Sequence, residues 1–86
     1  MNKVVNDATL GFKVRVQRQA HGLTQGELAA KVECHRVTIA RIEGGHIFPS
    51  ETLLEKIARA FGFDGRQAFM RWALSERRLG RALLRR

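Results

Sequence analysis

Cysteine is almost missing from this chain of 86 residues, which has only Cys34. A single thiol cannot close a disulfide within the chain, which excludes a small secreted scaffold held by staples and points to a reducing interior. No hydrophobic run approaches the length of a membrane span, and the N-terminus lacks the long apolar segment of a signal peptide. Tyrosine is absent and aromatic residues make up 7% of the chain, so the stacking platform usual for single-stranded nucleic acids is not there. Paired carboxylates, a nucleophile with its base and a glycine-rich phosphate loop are also missing, which argues against an enzyme. These absences leave a small domain of a bacterial or phage cytoplasm, stabilised by its core alone. The hydrophobic content of 44% is enough for one such core and leaves no room for a second.

Acidic charge is scarce as well. Sixteen Lys and Arg stand against eight Asp and Glu, a net charge of +8. Residues 1–63 carry net +3 and residues 64–86 net +5, the latter from seven arginines and two acids. Such a balance fits a nucleic-acid binder, although a solvated basic face or an acidic protein partner would look alike.

What is present is concentrated between Leu23 and Glu43. Two short helical patterns flank a tight polar break. In the first, Leu28, Ala29 and Val32 share a face, with Thr24 as N-cap and Glu27 three residues on completing a capping-box spacing. In the second, Ile39 and Ile42 lie one turn apart, and Arg36, Thr38 and Arg41 point elsewhere. Helices this short cannot stand alone, so other helices must pack them at an angle.

Thr24-Gln25, Leu28-Ala29, the run Arg36 to Glu43, then Gly45, Pro49, Leu53, Ile57 and Ala58 together resemble the phage repressor and Cro-like helix-turn-helix proteins. The resemblance runs from about Leu10 to Asp64. It implies an all-α, compact five-helix, lambda-repressor-like DNA-binding domain, here with an extended basic C-terminal helix. It also implies a transcriptional regulator that binds double-stranded DNA, usually as a homodimer on a two-fold operator. Carried over position by position, Arg36, Val37, Thr38 and Arg41 match base-contacting places. Their chemistry suits the task, since arginine can bond a guanine edge with two hydrogen bonds and the methyls of Val37 and Thr38 can meet a thymine methyl. The alternative is that both arginines touch only phosphate and position the protein without reading sequence. Gln25 matches a phosphate contact that also braces the recognition helix. Gly44, His46 and Ser50 border the same face as phosphate-contact candidates, with a solvated loop histidine as the bland reading of His46. Arg18 matches an arginine that pairs with the glutamate ending the recognition helix, Glu43.

Several residues depart from that family. A glycine is usual near Glu33, so either Glu33 adopts a costly left-handed conformation or the turn differs. His35 stands where Ser or Thr normally caps the third helix. Cys34 and His35 are adjacent, but no second cluster lies at ligand spacing and His21 and His46 are isolated; no metal and no cofactor are expected. Cys34 is read as a small buried residue of the turn.

The flanks complete the expected organisation: a flexible N-terminus at 1–7, a core at 8–63 and a C-terminal helix at 64–86. The first helix is expected from Ala8 to His21, ended by Gly22, with Leu10, Val14 and Arg18 on one face and Phe12, Val16 and Ala20 on another. That second face suggests cover from the C-terminal segment or a second subunit. Ser50 caps the fourth helix, with Leu53, Leu54, Ile57, Ala58 and Phe61 inward. Asp64 and Gln67 have capping-box spacing for the fifth. Its apolar surplus, with Phe69, Trp72 and Leu83 foremost, is expected to form a dimer or partner contact. The leading function is a sequence-specific regulator, repressor or activator. A second is an antitoxin-like module that holds a protein partner through its C-terminal helix, and a third is charge-driven, non-specific binding.

Overall fold

A computed structural model describes residues 6–74. It contains α1 (Asp7–Ala20), α2 (Gln25–Lys31), α3 (Arg36–Glu43) and α4 (Glu51–Ala60). A fifth helix, α5, runs through residues 66–74 of the described chain. No strand occurs among the described residues.

Each helix begins where a side chain can satisfy an orphan amide, with α3 the exception. Asn6 Oδ1 accepts from the Thr9 amide at 2.8 Å, so α1 starts one residue ahead of the expected Ala8. Thr24 and Glu27 form the full capping box of α2, with bonds of 3.0 and 2.9 Å. Ser50 Oγ accepts from the Leu53 amide at 3.1 Å at the start of α4. His35 makes no side-chain cap, which leaves the first turn of α3 without a side-chain acceptor of its own.

The four helices α1 to α4 end alike. In each, the third residue after the helix, two beyond its C-cap, donates to the carbonyl five positions back, at 2.9 to 3.0 Å, as Leu23 does to Arg18 and Phe63 to Ala58. The residue between takes a left-handed backbone: Gly22, Gly45 and Gly62, but Glu33 after α2. This Schellman ending requires a positive φ, which glycine adopts freely and glutamate does not. Glu33, at φ 59, therefore takes the strained alternative. Gly44 is right-handed, so of the two glycines after α3 only Gly45 supplies the left-handed turn.

The inward faces of all five helices meet in one core. Leu10, Val14, Leu28, Val32, Ile39, Ile42 and Ile57 are fully or almost fully buried, joined from α5 by Phe69 and Ala73. Two corrections concern α5. Asp64 was expected to cap it, but the Phe69 amide bonds to the Gly65 carbonyl, which puts Gly65 at the cap position. The free amide of Arg66 is instead capped by Glu55 of α4, at 2.9 Å. Phe69, expected at a dimer or partner contact, is 0% exposed and is core. It packs with Phe61, Phe63 and Trp72 at ring separations of 5.2 to 6.0 Å. An aromatic group of this size buries much apolar area, and here it closes the α1/α4 end of the core rather than projecting outward. Leu83 lies outside the described residues. The second face of α1 is only partly covered, with Val16 half-buried, Ala20 exposed and Phe12 59% exposed.

Candidate nucleic-acid interface

Helix α3 buries Ile39 and Ile42 and turns its other residues outward. Arg36 and Arg41 are exposed, Val37 is 52% exposed and Thr38 is half-buried. The structure thus brings the four expected base-contacting residues to one eight-residue helix whose opposite side is locked in the core. An exposed helix of this kind fits the major groove of DNA, and its first residues are those that reach base edges.

A polar clamp fixes the far end of α3. Arg18 Nε and Nη2 donate to Glu43 Oε2 and Oε1 at 2.6 and 3.0 Å. Its Nη1 donates to the Leu23 carbonyl at 2.7 Å, so one guanidinium ties α1, the α1–α2 turn and α3 together. Both side chains are largely withdrawn from water, at 11% and 5% exposure. The hydrogen bond to Glu43 holds the Arg18 pKa above its ordinary value, with burial opposing and the Glu43 charge assisting. Gln25 completes the clamp, its Nε2 donating to Glu43 Oε1 at 3.1 Å. One amide hydrogen of Gln25 is therefore committed to bracing α3, and its second hydrogen stays available to donate to a phosphate.

Backbone contact supplements the clamp. Gly11 is buried where α1 crosses the end of α3, and a Cβ there would run into the carbonyl oxygens of Ile42 and Glu43, lying 2.8 Å from the latter. Gly45 packs similarly, 3.1 Å separating a would-be Cβ from the Ala8 α-carbon. Sequence reasoning missed Gly11. Its signal was a glycine inside a helix, which costs about 1 kcal/mol against alanine and needs a packing reason.

The remaining candidates sit at the rim. Gly44 is exposed and so is His46, whose ring folds back over Gly44, Cδ2 lying 2.8 Å from where a Cβ would stand. Ser50 is exposed, and its oxygen is already occupied as the α4 cap, leaving only its O–H to donate outward. Cys34 is half-buried in the turn between α2 and α3, and desolvation raises its thiol pKa, with the nearby Lys56 charge pulling the other way. Among the described residues, no three His, Cys, Asp or Glu side chains converge as a metal site would require. No described helix is long and apolar enough to cross a membrane.

The model of the helix-turn-helix domain family matches residues 9–69. The chain belongs to this helix-turn-helix family. The chain is 47% identical over 49 residues to an uncharacterised HTH-type transcriptional regulator of Methanothermobacter thermautotrophicus, spanning 57% of this chain and 71% of the relative. A regulator of the same description from Archaeoglobus fulgidus is also 47% identical over 49 residues, covering 57% and 70%. Among solved structures, the restriction-modification controller protein C.AhdI of Aeromonas hydrophila aligns with a TM-score of 0.67 and 26% identity, over 72% of this chain and 92% of that one. The clp gene regulator ClgR of Corynebacterium glutamicum shares the fold, with a TM-score of 0.68 at 22% identity over 92% and 86% of the chains. Helix-turn-helix proteins of this kind are non-enzymatic DNA-binding transcriptional regulators with a lambda-repressor-like fold. In that frame α2 and α3 are the two helices of the motif, and Val32 to His35 the turn between them.

Proposed function

We propose that this helix-turn-helix protein is a sequence-specific regulator that lays α3 in the major groove. One observation carries the reading: Arg36, Val37 and Arg41 are exposed on a helix whose inward face and C-terminal end are both fixed, by the core and by the Arg18–Glu43–Gln25 clamp. A rigidly held helix presents side chains to base edges without first paying to order itself. In this reading Arg36 and Arg41 bond guanine edges, and Val37 and Thr38 meet thymine methyls. Gln25, Ser50, His46 and the backbone at Gly44 hold phosphate. The similarity to a restriction-modification controller and a gene regulator favours transcriptional control, with repression by occupancy as the simplest mode, in the cytoplasm.

The protein acts as a homodimer on a two-fold operator, placing two copies of α3 about 34–36 Å apart. With Phe69 in the core, the dimer contact falls instead on an open apolar groove of about 470 Å³ beside α4 and α5, lined by Phe48, Pro49, Leu54, Met70 and Leu74. Phe48 and Leu74 are 41% and 44% exposed there, as large apolar groups at protein contacts are.

Selection of bound sequences from a random duplex pool at about 150 mM salt tests the reading, because charge-driven binding weakens at that ionic strength. A two-fold motif for the wild type that loses information at one symmetric position in Arg36→Ala supports it. Strong low-salt binding with no motif overturns it in favour of charge-driven association. Sedimentation of Leu74→Glu tests the dimer face: an unchanged dimer removes the groove from the interface.

A further inference from the structure

The first turns of α2 and α3 meet at Gly26 and Arg36. A Cβ at Gly26 would lie 3.7 Å from Arg36 Cδ and 3.9 Å from Thr24 Oγ1. The δ-carbon of the arginine therefore passes beside the bare backbone of Gly26, where a longer side chain would compete for the same space. The neighbouring acid is already engaged, since Glu27 Oε1 accepts from the Thr24 amide at 2.9 Å. The ion pairs among the described residues use Arg18, Lys56, Arg59 and Arg66, and none uses Arg36.

We infer that residue 26, which itself touches no base, determines specificity by controlling Arg36: glycine there keeps the guanidinium free of an acidic partner and available to a guanine edge. The inference rests on the DNA-reading role proposed above. A carboxylate on residue 26 would start from a Cβ already in van der Waals contact with the arginine stem, and the guanidinium lies just beyond Cδ. The resulting ion pair would be exposed and weak, yet it would have to be broken before Arg36 could bond a base. Near the phosphates the same carboxylate would also repel DNA, but that effect is felt equally by every sequence. The two consequences separate cleanly, because only loss of Arg36 readout is confined to one operator position.

The test is the duplex selection repeated with Gly26→Glu, Gly26→Ala and Arg36→Ala beside the wild type. A glutamate in the first turn of a helix is favoured by the helix dipole, and thermal melting followed by circular dichroism checks that Gly26→Glu folds. Gly26→Glu is expected to lose preference by about fivefold, the scale of an exposed ion pair, at the same base pair that Arg36→Ala blurs. Gly26→Ala, whose methyl only reaches ordinary contact distance, is expected to keep the wild-type motif. A Gly26→Glu motif identical to the wild type overturns the inference, and so does a loss spread evenly over all positions. A wild type that yields no motif is a different result, since it removes the DNA-reading role itself.

Discussion

Gly11 of α1 rests directly against the carbonyl oxygen of Ile42 in α3, with no space for a methyl group between the two helices. The contact sets how far α3 stands out from the body of the protein. Alanine would improve the intrinsic stability of α1 by about 1 kcal/mol, but overpacking at a rigid backbone contact costs about 1–3 kcal/mol. Gly11→Ala is therefore expected to lower the urea midpoint, with a net loss up to about 2 kcal/mol. A raised midpoint would mean that α1 can slide away from α3 at no cost.

Arg18 and Glu43 form a pair that stands or falls together. Removing one partner leaves the other charge nearly buried, a loss of about 3–5 kcal/mol, whereas replacing both with apolar residues is often close to neutral. Arg18→Met and Glu43→Leu are each expected to destabilise strongly, and the double substitution less than their sum. The double-mutant cycle in urea measures this, and simple additivity would mean that the two charges act independently. DNA affinity should fall in the double variant even where stability recovers, because Gln25 loses its acceptor on α3.

Glu33 occupies the left-handed place that glycine holds after α1, α3 and α4. An L-residue there costs about 1–2 kcal/mol. Glycine gives back part of this through its greater chain entropy, about 0.5–1 kcal/mol, and forfeits the exposed contact of Glu33 with Lys56 at 3.0 Å. Glu33→Gly is expected to raise stability by up to about 1 kcal/mol, read as an increase in the thermal midpoint. A decrease would show that the Lys56 contact outweighs the backbone strain.

Glu55 links α4 to the start of α5, accepting from the Arg66 amide and from Arg59 Nε at 2.9 and 2.8 Å. The Arg66 hydrogen bond first, and then the Arg59 side chain, hold its carboxyl below the usual carboxylate range. A depressed folded pKa gives stability that is present at neutral pH and lost as pH falls through and below the usual carboxylate range. Acidification from pH 7 to about 3 is therefore expected to weaken the α4–α5 junction, and Glu55→Gln to reduce that sensitivity. Hydrogen exchange of the α5 amides at the two pH values measures it; equal acid sensitivity in wild type and variant would assign the effect to other carboxyls.

Local chemistry made much of this architecture legible in the sequence. The Thr24–Glu27 box and the Ser50 cap depend on residues three apart, and both form at those positions. Asp64 had the same spacing with Gln67, but a carboxylate eleven positions back in the chain, that of Glu55, reaches the Arg66 amide instead. Spacing cannot reveal a competitor brought in by tertiary packing. Phe69 was misplaced for a related reason: apolar surplus in a terminal helix looks the same whether it faces a partner or the chain's own aromatic cluster. Gly11 escaped the sequence reading, because the backbone it accommodates lies about thirty residues later. The base-contacting candidates came from resemblance, and what folding adds is the exposure of Arg36, Val37 and Arg41 on one fixed helix.

Lys13 is nearly buried on α1, with its ammonium 5.4 Å from the centre of the Trp72 ring. Trp72 is the chain's one tryptophan and stacks on Phe69, so a single indole lies at the seam between α1 and α5. Indole emission responds to nearby cations and to water, which makes this residue an intrinsic optical gauge of whether α5 is seated. It stands on a different helix from the α3 side chains proposed to meet DNA, so it would register separation of α5 from the body of the protein more directly than it would register binding at α3.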